Sequence, residues 1–213
     1  MSSNDSKELN IKLILIGDSN VGKTTLLYKY INIENTEEIC QTVGLENKVK
    51  TIQINGLQAK IQIWDTAGQE KYNSLTNQFF QNTDGILLLF DLTNKKTFDN
   101  IKKWIKEIKE NSDRKIKKII VGNKCDKKDS IKVTSNDIMN LIEPKKLKYI
   151  EASALDGTNV DKAFDILIRS IVGQRTNEEL IADFGINDQL MSLSGSTLNN
   201  NINQEKKKKC CLH

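Results

Sequence analysis

The run Gly17-Asp18-Ser19-Asn20-Val21-Gly22-Lys23-Thr24 constrains this chain more than any other stretch. It completes a pattern of glycine, four variable residues and Gly-Lys-Thr, which has a defined context: a strand before it and a helix after it. The apolar residues 13–16 supply the strand. Glycines at 17 and 22 let backbone N–H groups turn toward phosphate oxygens at the start of a helix. Lys23 is then placed to reach the β- and γ-phosphates of a nucleoside triphosphate, and the Thr24 hydroxyl to bind Mg2+. Residues 17–24 together with Thr25 form the candidate phosphate-binding set.

Two more short runs, 86–90 and 119–121, are apolar on both faces, as buried strands of a parallel sheet are. Residues 49–54 and 59–64 alternate instead and flank Asn55-Gly56, a strong hairpin signal. A sixth strand is expected near 148–152. Helical periodicity falls between the strands. Phe98, Ile101, Trp104, Ile105 and Ile108 form one stripe; Val160, Ala163, Phe164, Leu167, Ile168 and Ile171 form another. Thr158 is the expected N-cap of the second stripe, with Asp161 three residues on. Ile138, Leu141 and Ile142 mark a shorter helix ended by Pro144. Strand and helix in alternation imply an α/β fold: a doubly wound, six-stranded, mostly parallel sheet with one antiparallel edge strand and helices on both faces. Each motif follows a strand, so the motifs gather at the carboxyl edge of the sheet, where such folds bind ligands. The expected organisation is a flexible N-terminus at 1–9, one domain at 10–174, and a flexible tail at 175–213, where Asn, Ser and Glu replace apolar residues.

The loop at 17–24 says only that a triphosphate is held. Which base is held depends on Asn123-Lys124-Cys125-Asp126, after the third apolar run. A carboxylate such as Asp126 accepts from the N1–H and exocyclic amine of guanine together, a donor pair adenine lacks. Asn123 can bond along another edge of the base, with Lys124 between the two. Ser153-Ala154-Leu155, after the sixth strand, offers backbone N–H to guanine O6. Trp64-Asp65-Thr66-Ala67-Gly68-Gln69-Glu70 ends the hairpin. There Asp65 can hold Mg2+ through water, the Gly68 N–H can meet a γ-phosphate, and Gln69 can orient the attacking water as the one catalytic side chain. Phosphoryl transfer needs positioning and charge neutralisation, so no nucleophilic side chain is expected.

Taken in order, these motifs resemble the Ras superfamily of small GTPases over residues 10–174. The segments 64–70, Lys71-Tyr72-Asn73-Ser74-Leu75-Thr76 and Leu88-Leu89-Phe90-Asp91-Leu92-Thr93 look like Rab. The resemblance implies a small G domain that binds GTP/GDP with Mg2+ and hydrolyses GTP slowly. Thr42 would add its hydroxyl to Mg2+ within switch I, and residues 67–80 would form switch II. Release of Thr42 and Gly68 on hydrolysis would then be an order-to-disorder switch. It also implies a GTPase-activating protein, a guanine nucleotide exchange factor and membrane effectors, with a role in vesicle-mediated transport. Three positions depart from the pattern. Asn35 stands where an aromatic residue usually packs on guanine, so looser base packing and faster exchange are expected unless Ile33 or Tyr28 compensates. Val43-Gly44-Leu45-Glu46-Asn47 lacks the usual phenylalanine of switch I, and Phe79-Phe80-Gln81-Asn82 replaces a Tyr-Tyr-Arg-Gly.

Lys206–Lys209 precede Cys210-Cys211-Leu212-His213. Paired cysteines in this setting resemble doubly geranylgeranylated tails, with a single prenyl group on Cys210 as the other option. Two chains anchor stably where one is marginal. A prenyl transferase and an escort or GDP-dissociation-inhibitor protein are the partners this implies, and the cytoplasmic face of a membrane, with a cytosolic pool, is the implied location. Composition agrees with a cytosolic domain. No stretch of the 213 residues approaches a membrane span, the first ten are polar, and Cys40 and Cys125 are isolated. A net charge of +4 is too mild to imply nucleic-acid binding. Two other readings remain open. One is a nucleotide-binding scaffold with little turnover, motivated by Asn35 and the altered switch I. The other is a phosphate-loop kinase, opposed by Asn-Lys-x-Asp and by the lack of an arginine-rich lid segment.

Overall fold

The computed structural model describes residues 9–33, 45–54, 56–66, 80–112 and 116–173. The chain runs β1 (Leu9–Ile16), α1 (Lys23–Tyr30), β2 (Leu45–Ile54), β3 (Leu57–Thr66), β4 (Gly85–Asp91), α2 (Lys95–Asp99), α3 (Ile101–Glu110), β5 (Lys117–Asn123), α4 (Ser135–Ile142), β6 (Lys148–Glu151) and α5 (Val160–Val172). Asn10–Gln174 forms one compact unit.

The six strands make one sheet in the order β2-β3-β1-β4-β5-β6. β1 pairs β4, β4 pairs β5 and β5 pairs β6, all parallel, while β2 pairs β3 antiparallel at the edge. β4 lies between two strands with helices over both faces, and every one of its residues is buried. That is why its sequence shows no alternation. β3 does alternate: Ala59, Ile61 and Ile63 are fully buried, and the residues between them are half-buried. Ile54 pairs Leu57 across the two-residue turn, where Gly56 sits at φ 83°, a left-handed conformation that favours glycine.

The stripe running from Phe98 to Ile108 is split between two helices. α2 ends at Asp99 and α3 begins at Ile101, with Asn100 at the junction. Phe98, Ile101, Trp104 and Ile108 still reach one core with Ile14, Ile86, Leu88, Phe90 and Ile120. In α5 the expected face is buried at Val160, Ala163, Phe164, Leu167, Ile168 and Ile171. Its cap differs from the sequence expectation. Asn159, at φ 55°, precedes the helix, and its side chain donates to the Glu151 carbonyl instead of capping. Thr158 lies one residue too early, with its N–H on the Asp156 carboxylate and its carbonyl accepting from Ser153. Asparagine tolerates the left-handed turn that a β-branched threonine resists. A full capping box sits elsewhere, at Thr134 and Asp137 of α4. α4 stops at Ile142, two residues before Pro144, and a single 3-10 turn follows over Glu143–Lys145.

Candidate functional site

The carboxyl ends of β1, β3, β4, β5 and β6 open onto one edge of the sheet, and each delivers part of the site. The loop after β1 has positive φ at Gly17 (152°), Asn20 (62°) and Gly22 (93°). Space enforces the glycines as firmly as conformation does. A Cβ at Gly17 would strike the Leu89 carbonyl oxygen of β4, and one at Gly22 would strike the Asn123 side-chain amide.

One side chain from α1 and two from the end of β5 and the residue after it hold the loop carbonyls. Lys23 Nζ, 5% exposed, donates to the Gly17 carbonyl at 2.7 Å and the Asp18 carbonyl at 2.9 Å. Lys124 Nζ donates to the Asn20 carbonyl at 2.8 Å, and Asn123 Nδ2 to the Val21 carbonyl at 2.7 Å. With carbonyls at 17, 18, 20 and 21 engaged in this way, the loop is fixed as a concave nest of amides. Asp18 belongs to this loop through its backbone. Its carboxylate is committed elsewhere, accepting from Asn100 Nδ2 at 2.6 Å and Trp104 Nε1 at 2.9 Å. Ser19 is half-buried beside it, and Thr25 lies in the first turn of α1 after Thr24.

Thr24 Oγ1 donates to Asp65 Oδ2 at 2.5 Å. Asp65 is fully buried near the end of β3, and Thr66 pins that end to β1 by donating to the Leu15 carbonyl at 2.9 Å. A hydroxyl and a carboxylate oxygen held together form a hard donor pair suited to Mg2+. Among the described residues no group of three or more His, Cys, Asp or Glu could hold a metal ion.

At the far side of the loop, Lys124 also pairs with Asp91 at 2.7 Å. Burial alone pushes the Asp91 carboxyl up, but the bonds from Lys124 and from the Thr93 hydroxyl and N–H outweigh it, and the net shift is downward. Asn123 uses both ends of its amide: besides donating to Val21, Oδ1 accepts from the Ala154 N–H at 3.0 Å. The phosphate-loop side and the Ser153–Leu155 segment are thereby joined through one side chain. Ser153 is fully buried, its N–H on the Thr158 carbonyl and its Oγ accepting from Asp156 N–H. Leu155 is 73% exposed. Asp126 is half-buried, and its carboxylate takes no hydrogen bond among the described residues. Cys125, between Lys124 and Asp126, is half-buried; its thiol is pushed up by burial and by Asp156, Asp126 and Glu151.

The structure thus brings residues 17–24, Asp65, Asn123, Lys124, Asp126 and Ser153–Leu155 to one edge. Thr42, Gly68, Gln69, Cys210 and Cys211 lie outside the described residues, as do Asn35 and the rest of the tail. Four participants escaped the sequence reading: Asp91, Thr93, Asn100 and Trp104. The signal for Trp104 was its indole N–H, which requires an acceptor once buried.

A family model described as the Ras family matches residues 12–173. GTP-binding protein ypt2 of Schizosaccharomyces pombe is 40% identical over 177 residues, which cover 83% of this chain and 88% of that protein. Ras-related protein Rab-8B of Bos taurus is 38% identical over 92% of this chain and 91% of its own. Ras-related protein Rab11A of Nicotiana tabacum is 36% identical over 94% and 93%.

Proposed function

The chain belongs to the Ras family, and we propose that its convergent loops hold one guanine nucleotide with Mg2+ and read the presence of the γ-phosphate. It is a Rab-like small GTPase, a hydrolase that cycles between GTP- and GDP-bound states. The observation that carries the assignment of residues is the joining of three motifs by side-chain bonds: Asn123 to Val21 and Ala154, and Lys124 to Asn20.

In this reading the amides of residues 17–24 bind the phosphates, and Lys23 shifts from loop carbonyls toward the β- and γ-oxygens. Thr24 and Thr42 would ligate Mg2+ directly and Asp65 through water. When bound, the ion neutralises charge on the phosphate oxygens. Asp126 accepts from guanine N1–H and the exocyclic amine, and backbone amides of Ser153–Leu155 serve O6. Gln69 orients the attacking water. Thr42 and Gly68 donate N–H to the γ-phosphate and are released together when it leaves. The expected partners are a GTPase-activating protein supplying an arginine, worth roughly 10³–10⁵ in rate, an exchange factor, and effectors. Cys210 and Cys211 would carry prenyl groups, delivered by a prenyl transferase with an escort or GDP-dissociation-inhibitor protein. The lysines 206–209 add about 1 kcal/mol each near an anionic leaflet. The chain would then work on the cytoplasmic face of a membrane in vesicle-mediated transport.

Competition of GDP and ADP for the purified chain tests the site, and single-turnover phosphate release from GTP tests the enzyme. Strong guanine preference with slow release is expected. Equal affinity for adenine would remove the base assignment, and guanine binding without any release would favour a scaffold role.

A further inference from the structure

An acidic side chain inside a phosphate-binding loop is costly, because it adds negative charge where the ligand is most negative. Asp18 is such a residue, and the structure shows where its charge goes. Both carboxylate oxygens are turned to the start of α3, Oδ2 accepting from Asn100 Nδ2 at 2.6 Å and Oδ1 from Trp104 Nε1 at 2.9 Å. Hydrogen bonds to an ionised acceptor are stronger than neutral ones. Asn100 is specialised for this bond. It stands at the N-cap of α3 yet makes no side-chain cap, although the neighbouring cap residue Asn94 does. The backbone of the same Asp18 accepts from Lys23, the residue that reaches the phosphates in the reading above.

We infer that Asp18, Asn100 and Trp104 form a positioning clamp that holds the phosphate loop from outside and slows nucleotide release. The inference rests on the assignment of residues 17–24 as the nucleotide cradle. The clamp acts through the loop backbone: it keeps the carboxylate away from the phosphates and ties the loop to α3, which is anchored by Ile101, Trp104 and Ile108 in the core. α3 therefore reports on the loop, and Trp104 is the residue that senses it.

The test measures dissociation of a fluorescent GDP analogue from the full chain. Asp18→Ala, Asn100→Ala and Trp104→Phe should each speed release, Asp18→Ala on the order of 10-fold, in line with the worth of charged hydrogen bonds. Trp104→Phe keeps the ring in the core, and Asn100→Ala removes no capping bond, so both variants should fold. Adding either change to Asp18→Ala should give little further acceleration, since the shared partner is already gone. With Trp64→Phe as background, Trp104 is the sole tryptophan, and its emission should change on nucleotide addition only while Asp18 is present. Leu167→Ala, a core change in α5 that leaves α3 and the clamp intact, should lower Tm without the release phenotype. Unaltered release in the clamp variants, additive effects, or equal acceleration by Leu167→Ala would each overturn the clamp. Failure of the unaltered chain to bind GDP at all would instead overturn the cradle assignment.

Discussion

Thr24 Oγ1 and Asp65 Oδ2 meet at 2.5 Å although 41 residues separate them in the chain. The bond joins the first turn of α1 to the end of β3, so the phosphate loop and the strand leading to residues 67–70 share a fixed point. Thr24→Ala removes a donor from a fully buried carboxylate, which costs about 1–3 kcal/mol. Chemical denaturation should show that loss, and GTP retention should lose its sensitivity to chelation of Mg2+. A variant as stable as the parent, with retention still chelator-sensitive, would refute both the energetic and the metal-binding role.

Lys124 spans two partners, Asp91 at 2.7 Å and the Asn20 carbonyl at 2.8 Å. Asp91 is only 7% exposed, so removing the cation strands a charge that the two Thr93 donors satisfy in part. Lys124→Met is expected to cost about 1–3 kcal/mol near neutral pH, discounted from a fully buried pair because Lys124 is partly exposed. The net depression of the Asp91 carboxyl sets the pH dependence. Its contribution is present above the ordinary aspartate value of about 3.9 and is lost as pH falls through the folded value. The difference between parent and variant should therefore shrink on acidification. Urea unfolding across that range checks it; a gap that stays constant would exclude the ion pair as the cause.

The central strands were legible because buried parallel strands are written as plain apolar runs, and the turn at 17–24 because its glycines stand where φ is positive and a Cβ has no room. The hairpin was legible from Asn55-Gly56. What stayed hidden was long-range commitment of polar side chains. Nothing near Asp18 in the chain announces Asn100 or Trp104, and Trp104 lay in a stripe that core packing already explained. Asn100 hid because a junction between two helices keeps the apolar spacing of one helix. Thr158 misled because a good capping residue preceded the stripe, while the backbone needed a left-handed residue at Asn159.

Gly22 lies at φ 93°, and any Cβ there meets the Asn123 side-chain amide. Gly22→Ala combines a disfavoured conformation with that clash, a strain of about 1–3 kcal/mol. Relief requires Asn123 to move, which breaks its bonds to the Val21 carbonyl and the Ala154 N–H. Phosphate and base contacts should weaken together, lowering GDP affinity roughly 10-fold or more. Calorimetric titration with GDP and with guanosine separates the two: a loss confined to GDP would mean that Asn123 does not couple the loops.

Tyr30 closes α1 with its ring stacked on Phe164 of α5, centroids 3.7 Å apart and planes 9° from parallel. Burial, then the charges of Asp161 and Asp165, push its phenol up to about 12. Below about pH 10 the phenol is neutral in both folded and unfolded chains, and its contribution is complete. Between about 10 and 12 only the unfolded chain ionises, so stability falls by about 1.4 kcal/mol per pH unit, roughly 2–3 kcal/mol in all. Lysines titrate in the same window, so the informative quantity is the difference between the parent and Tyr30→Phe, which keeps the stack and removes the proton. The variant should resist alkaline unfolding by about that margin while matching the parent near neutral pH. Parallel alkaline losses in the two proteins would mean that Tyr30 is free to ionise in the folded state, and that its stack on Phe164 does not bury the phenol.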